Sequence, residues 1–370
     1  PIPMYPGLRM GLASRSSLGR AWRERRPDLV HIVTEGPLGW TAVAAARRLG
    51  VPVSSDFHTN FHSYSRHYGL GLFARPVARY LRALHNRADC TLVPTGEMKT
   101  ELEALSFERV LVVGRGVDSR LFNPGRRSEA LRSSWGCRDN DTVALHVGRI
   151  APEKNIGLFA KAAEEMLAID PMVRVVLVGD GPQGGSLRRQ YPHFVFAGMR
   201  TGEDLAAHYA SADVFIFPST TETFGNVTME AMASGLAIVA YDYAAARQHL
   251  RHWVSGLLAP FGDASEFTRM AALLARGPQL RTRLGLEARR TAESITCSAN
   301  CTSCSLSCAS PSLVRRKKTP AGCCRREKRM AMADRVGTGR PSARQSVRIC
   351  WYSGSVRTSR ASTTSPVARA

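Results

Sequence analysis

The sequence predicts an α/β protein of two doubly wound domains facing a cleft, the first of them incomplete. Three observations carry this expectation. Apolar runs of strand length recur from residue 28 to residue 260, with stretches of helical period between most of them. A polar, Pro-containing joint, "LFNPGRRSEALRSSWG", divides the runs into two series. Strands joined through helices of this length need right-handed parallel crossovers, which build open sheets covered on both faces.

The first series is "DLVHIV" (28–33), "VPVSSDF" (51–57), "CTLVPT" (90–95) and "VLVVGRGVD" (110–118), with the helical text "LGWTAVAAARRLG" and "RPVARYLRALHNRA" between its members. Ahead of it, "PIPMYPGLRM" is Pro-rich and loop-like, with no charged-then-apolar leader pattern, and it reads as the start of a fragment inside a domain. The second series is "TVALHVGRI", "VRVVLVGDG", "FVFAGM", "VFIFPS", "LAIVAYD" and "GLLAP". Helical text follows as far as about Ser294 and then gives way to Cys, Ser and Arg without hydrophobic period. The expected organisation is a partial first domain over 1–124, a second domain over 125–293, and over 294–370 a basic tail that cannot bury enough to fold.

Composition narrows the class. The chain has 370 residues, 44% of them hydrophobic, and no apolar run of about 18 residues, so it reads as globular and without a membrane span. The formal charge of +21 would suit a nucleic-acid partner if it were spread over the fold. It is not, because 15 Lys and Arg against 2 acids follow Ser294, placing +13 in the tail and +8 on everything before it. Of nine cysteines only Cys90 and Cys137 precede the tail, which suits a reducing, cytoplasmic compartment. A nucleic-acid- or metal-binding protein acting through its tail is the non-enzyme alternative, and that tail is its one support.

The chemistry concentrates in "TETFGNVTMEAMASG" (221–235), where a strand hands over to a helix at the ligand-facing end of a parallel sheet. Phe224, Gly225, Asn226 and Val227 lead into that helix, whose free N–H groups and positive end favour an anion such as phosphate. Glu222 and Glu230, eight positions apart, do not help a phosphate and are better explained as acceptors for sugar or ribose hydroxyls. The plainer alternative is a solvated loop acid and a first-turn helix acid. "HVGRIAPEKN" adds Gly148 with Arg149 and Lys154, two cations suited to a diphosphate. "LVGDGP" places Asp180 and Gly181 at another strand end, where a base or ribose lies against backbone or where there is only a turn.

On these residues the chain resembles the retaining, nucleotide-sugar-dependent glycosyltransferases built from two Rossmann-like domains, the GT-B, family-4-like type, over about residues 5–293. The Glu222–Glu230 spacing with the Arg149–Lys154 pair is the most specific element. "SSDFHTNFHSYSRHYG" and "RGVDSRLFNP" look like the subgroup of GDP-mannose-dependent alpha-mannosyltransferases. The resemblance implies that Glu222 holds donor-sugar hydroxyls and Glu230 the ribose, and that the 224–226 amides face sugar and phosphate. It also implies that Arg149 and Lys154 carry the diphosphate without a metal or other cofactor, and that His58 contacts the sugar near the reacting carbon. The implied partners are a nucleotide-sugar donor and a lipid or glycan acceptor, with no nucleic acid. A UDP-sugar-dependent transferase and a nucleotide-sugar epimerase or hydrolase on the same architecture are the rival readings.

The family's glycine-rich loop after the first strand is not found in residues 1–26, and the text after 294 does not continue its crossing helix. Donor binding with weak or no transfer is the expectation for this chain. The segment "YSRHYGLGLFARPVARYLRALHNR" interleaves arginines with aromatics. It reads either as a face resting peripherally on the anionic inner side of a membrane or as a packed helix with a solvated basic face. His58, His62 and His67 have no acid or Cys at ligand spacing, and the C-x3-C-x2-C of Cys297, Cys301 and Cys304 lacks following strands to enclose a cluster, so no metal site is expected.

Overall fold

The computed structural model describes residues 11–57, 74–138 and 140–299. The chain forms two compact units, one running to Val53 and the larger beginning at Ser54. In the first, α1 (Arg15–Glu24) follows the cap Ser14, whose Oγ accepts the Ser17 N–H at 3.1 Å. It packs against α2 (Pro37–Arg48), which starts on a proline after Gly36 and lies against the short strand β1 (Val30–Ile32). The Arg26 guanidinium ties the end of α2 by donating to the Leu49 carbonyl at 2.7 Å. α1 is not among the elements expected from the sequence, and the loop-like stretch 1–10 ahead of it lies outside the described residues; the hydrophobic stripe of α1 is one Trp22 wide.

β2 (Val53–Asp56), β3 (Cys90–Val93) and β4 (Val110–Val112) pair in parallel in that order and form the first sheet. Between these strands lie α3 (Ala74–His85) and α4 (Gly96–Ala104), the latter capped by Thr95. Ser55 in β2 is buried and shares its hydroxyl with the His85 Nδ1 at 2.9 Å and the Thr91 Oγ1 at 3.1 Å, so the polar residues of "VPVSSDF" are satisfied inside the sheet layer.

The second sheet has six parallel strands in the order β10-β9-β8-β5-β6-β7: β5 (Val143–Val147), β6 (Arg174–Val178), β7 (Val195–Gly198), β8 (Val214–Phe217), β9 (Ala237–Tyr241) and β10 (Leu257–Ala259). Alternate residues of each central strand enter different cores. Ala144, Val175, Leu177, Val214, Ile216 and Val239 face one, and Leu145, Val176, Val178, Phe215, Phe217 and Ile238 the other. This explains why the strands read as continuous apolar runs, since both faces are covered. The joint is packed rather than a free linker. A short 3-10 turn and α5 (Glu129–Ser134) occupy it, Phe122 and Trp135 enter the core beneath the second sheet, and the buried Arg132 donates to Ser211 O, Asp213 Oδ2 and Asp141 O at 2.9, 3.1 and 2.6 Å.

Six further helices lie in the second half before the last: α6 (Ile156–Ile169), α7 (Gly184–Gln190), α8 (Gly202–Ala210), α9 (Asn226–Ala233), α10 (Ala244–His249) and α11 (Ala264–Arg276). The last, α12, runs Pro278–Ala299, five residues past the expected stop at Ser294. It is held at its middle by Arg289, which donates to the Phe122 carbonyl at 2.9 Å, and by Ala288 and Ala292 in the core. Ser294 and Ile295 continue an already nucleated helix, so the change in composition does not mark its end.

Candidate active site at the strand ends of the second sheet

β8 ends at Phe217, and the chain passes through 218–225 into α9. Gly225 is the N-cap at φ +95°, a left-handed conformation that favours glycine, and no side chain caps the helix. The amide groups of Asn226 and Val227 thus open the first turn, where an anion is favoured. Phe224 contributes only backbone. Its ring is 1% exposed and packs edge-on against His249 with centroids 5.8 Å apart.

Glu222 sits over this turn with its side chain 14% exposed, and its Oε1 receives both the Ser219 hydroxyl at 2.6 Å and the Lys154 ammonium. Lys154 ends a 3-10 turn that Pro152 begins, and Asn155 at φ +54° redirects the chain into α6. Arg149, on the same loop, donates to the buried Glu153 carboxylate at 3.1 Å, and the Glu153 carbonyl accepts the Thr221 hydroxyl at 3.0 Å. The loops after β5 and β8 are therefore fastened together, and the two predicted cations each rest on a carboxylate. Within one loop cluster the structure gathers Arg149, Lys154, Glu222 and the Gly225–Val227 turn.

Glu230 is the fifth residue of α9, past the first turn in which the plainer alternative places it. It lies on α9 against α8, partly buried, and its Oε2 accepts the hydroxyl of Tyr209 at 2.9 Å. Burial raises its carboxyl above the usual range, and the Tyr209 bond offsets part of that rise. Tyr209 is itself fully buried and its hydroxyl is pushed well above its ordinary value, by burial first and then by the Glu230 charge.

The loop after β6 explains its glycines by backbone contact. Gly179 is at φ +132°, and a Cβ there would stand 1.9 Å from the Gly148 carbonyl oxygen; one on Gly181 would stand 2.3 Å from the Ile150 carbonyl oxygen. Gly148 N–H donates to Val178 O and Ile150 N–H to Asp180 O, both at 3.0 Å, so these loops run in van der Waals contact. Asp180 is exposed, and its Oδ1 accepts the Gly181 N–H at 2.7 Å. Beneath them His146 is fully buried, its Nδ1–H donating to the Ile216 carbonyl at 3.2 Å. Burial and the Lys154 charge lower its pKa to about 4, so it is a neutral ring under the site. His58, and with it His62 and His67, lies outside the described residues.

Two family models match the chain, "Glycosyltransferase Family 4" over residues 1–121 and "Glycosyl transferases group 1" over 141–276, the latter carrying every site residue named above from Gly148 to Glu230. A GDP-mannose-dependent alpha-mannosyltransferase of Mycobacterium tuberculosis is 38% identical over 290 residues, covering 78% of this chain and 74% of that protein. The chain belongs to this glycosyltransferase family. An alpha-monoglucosyldiacylglycerol synthase of Streptococcus pneumoniae is 30% identical, covering 58% of the glycosyltransferase and 52% of the relative. Its fold is that of the Anabaena protein Alr3699/HepE, solved in complex with UDP and glucose, with a TM-score of 0.64 at 22% identity over 76% of each chain. Among the described residues no helix of the glycosyltransferase is long and apolar enough to cross a membrane. The partners Ser219, Tyr209, Glu153 and His146 are absent from the sequence-level site. Only "HVGR", a histidine inside an apolar strand, carried any signal for one of them.

Proposed function

We propose that this glycosyltransferase transfers mannose from GDP-mannose to a lipid or glycan acceptor with retention of configuration. The observation that carries the donor class is the Lys154–Glu222 contact beside the uncapped first turn of α9. It sets a cation for phosphate, acceptors for hydroxyls and open amides for an anion within one cluster. The mannose and guanine assignments rest on the subgroup wording of the sequence and on the 38% identical mannosyltransferase.

On this reading the donor exchanges partners within the cluster. Its diphosphate takes Lys154 and Arg149 from their carboxylates, and Glu222 then accepts sugar hydroxyls. As the bond from the sugar C1 to the phosphate oxygen breaks, both cations and the α9 amides meet the charge growing on the diphosphate, so no metal or cofactor is required for that role. The acceptor oxygen bonds to C1 on the same face, and its proton passes to the departing phosphate. Glu230 holds the ribose with its free oxygen, Asp180 and Gly181 lie along the nucleoside, and His58 contacts the sugar. A UDP-sugar donor with a diacylglycerol-type acceptor is the second reading, favoured by the synthase relative and by the UDP-bound structural neighbour. A thermal-shift panel with transfer assays separates them. GDP-mannose should stabilise the fold more than UDP-glucose, and equal or reversed shifts would remove the mannosyl assignment.

A further inference from the structure

Glu97 stands in the first turn of α4, 125 positions before Glu222, and its carboxylate reaches α10 within the larger compact unit. Its Oε1 accepts the Arg247 Nη1, while its Oε2 accepts the Ala244 N–H at 3.4 Å. Arg247 is steadied from the other side by Asp242 Oδ1 at 3.2 Å. Ala244 is at φ +51°, a left-handed conformation that alanine rarely adopts and that surrounding bonds must hold. The residues on either side of it make the remaining bonds. The Tyr243 hydroxyl donates to the Glu222 carbonyl and the Ala245 N–H to the Phe224 carbonyl, both at 2.8 Å. Three consecutive residues thus reach outward, two to the loop that carries Glu222 and the middle one to Glu97.

We propose that Glu97 is a positioning residue for the Glu222 loop, acting through residues 243–245. An exposed ion pair adds little to global stability. Its effect here is local: it selects the left-handed conformation at Ala244, which aims Tyr243 and Ala245 at the two loop carbonyls. Losing it lets the segment relax toward ordinary backbone and frees the loop that orients Glu222 toward the sugar. What the loop binds rests on the functional reading above; that Glu97 holds the loop does not.

Two measurements on the full chain test this, the first without ligand. In Glu97→Ala, amide hydrogen exchange at Ala245 should accelerate by roughly threefold or more, with the melting temperature nearly unchanged, as expected for loss of a local constraint. Glu97→Gln, which keeps an acceptor for the Ala244 N–H, should restore part of the protection, and Arg247→Gln should loosen the same amide from the other side. Unchanged exchange at Ala245 in both Glu97→Ala and Arg247→Gln overturns the proposal whatever the ligand is. The second measurement compares ligands. Affinity for GDP-mannose should fall by about threefold to fivefold in Glu97→Ala while affinity for GDP stays put. Equal losses for both would also overturn it. If the unmodified chain binds neither ligand, the functional reading fails and the exchange experiment alone decides the role of Glu97.

Discussion

Lys154 and Glu222 are paired with each other, which sharpens what their substitution should do. Lys154→Ala and Arg149→Ala should each weaken GDP binding by about 1.5–3 kcal/mol, the usual range for a charge-assisted bond. Glu222→Gln should behave oppositely toward the free nucleotide. It releases the ammonium, so GDP binds as well as before or better, while discrimination between sugars is lost. Titration calorimetry with GDP and GDP-sugars reads both, and collapse of GDP binding in Glu222→Gln with survival in Lys154→Ala would reverse the roles. Glu230 provides a pH test. Its folded pKa is raised, so its burial penalty is absent at low pH and appears as pH rises through the carboxylate range. Glu230→Gln keeps an acceptor for Tyr209 and should gain stability over the parent at pH 7, with the gain vanishing toward pH 4. His146 has the opposite sign. Held at about 4 against an ordinary 6.5, it takes up a proton more readily when unfolded, so stability should fall by up to about 3 kcal/mol as pH drops from 6.5 to 4. Urea midpoints across that range should lose this slope in His146→Leu.

At the scale of elements, the loops after β5 and β6 depend on glycine for contact with each other. Gly179→Ala places a methyl 1.9 Å from Gly148 O at a φ that alanine resists, and should cost at least about 2 kcal/mol by urea denaturation. Loss of nucleotide binding without loss of stability would show that the close approach serves the ligand instead. The strands were legible because a sheet covered on both faces leaves an uninterrupted apolar run, and "VALHV", "VVLV" and "VFIF" are such runs. α1 was not, since Trp22 is its single large buried side chain and most of the remainder of its text is polar. The packed joint was hidden for the opposite reason. Its Arg132 reads as surface charge until Asp213, 81 residues on, is seen to face it. The Glu222 loop was legible as a strand-to-helix turn by its glycine and its position after a strand, whereas its pairing with Lys154 across 68 residues is set by the sheet order β8-β5 and not by any local pattern.

For the whole molecule, donor binding should be the dominant external source of stability. A ligand present at 100 times its Kd adds about 2.7 kcal/mol, a large fraction of the 5–15 kcal/mol typical of a folded domain. The uneven charge separates this from any polyanion binding. A chain ending at Ala299 drops all of the +13 that follows Ser294, so retention on heparin should fall sharply while GDP-mannose affinity is kept. Loss of nucleotide affinity in that variant would give the tail a part in the site.

The parked ammonium of Lys154 also bears on the crowd of small anions that any cell contains. Orthophosphate, sulfate and pyrophosphate can each offer negative charge to the loop, but none offers Glu222 the spaced hydroxyls of a sugar in exchange for the lysine it gives up. Each would leave a carboxylate that is 14% exposed with neither its ammonium nor a sugar's hydroxyls to meet it, a state that burial makes costly. A molecule joining phosphate to a polyol settles both halves of the exchange at once. Inorganic pyrophosphate should therefore be a poor inhibitor of the parent and a markedly better one of Glu222→Gln, so that the same ion pair which the donor displaces also keeps the site clear of the ions around it.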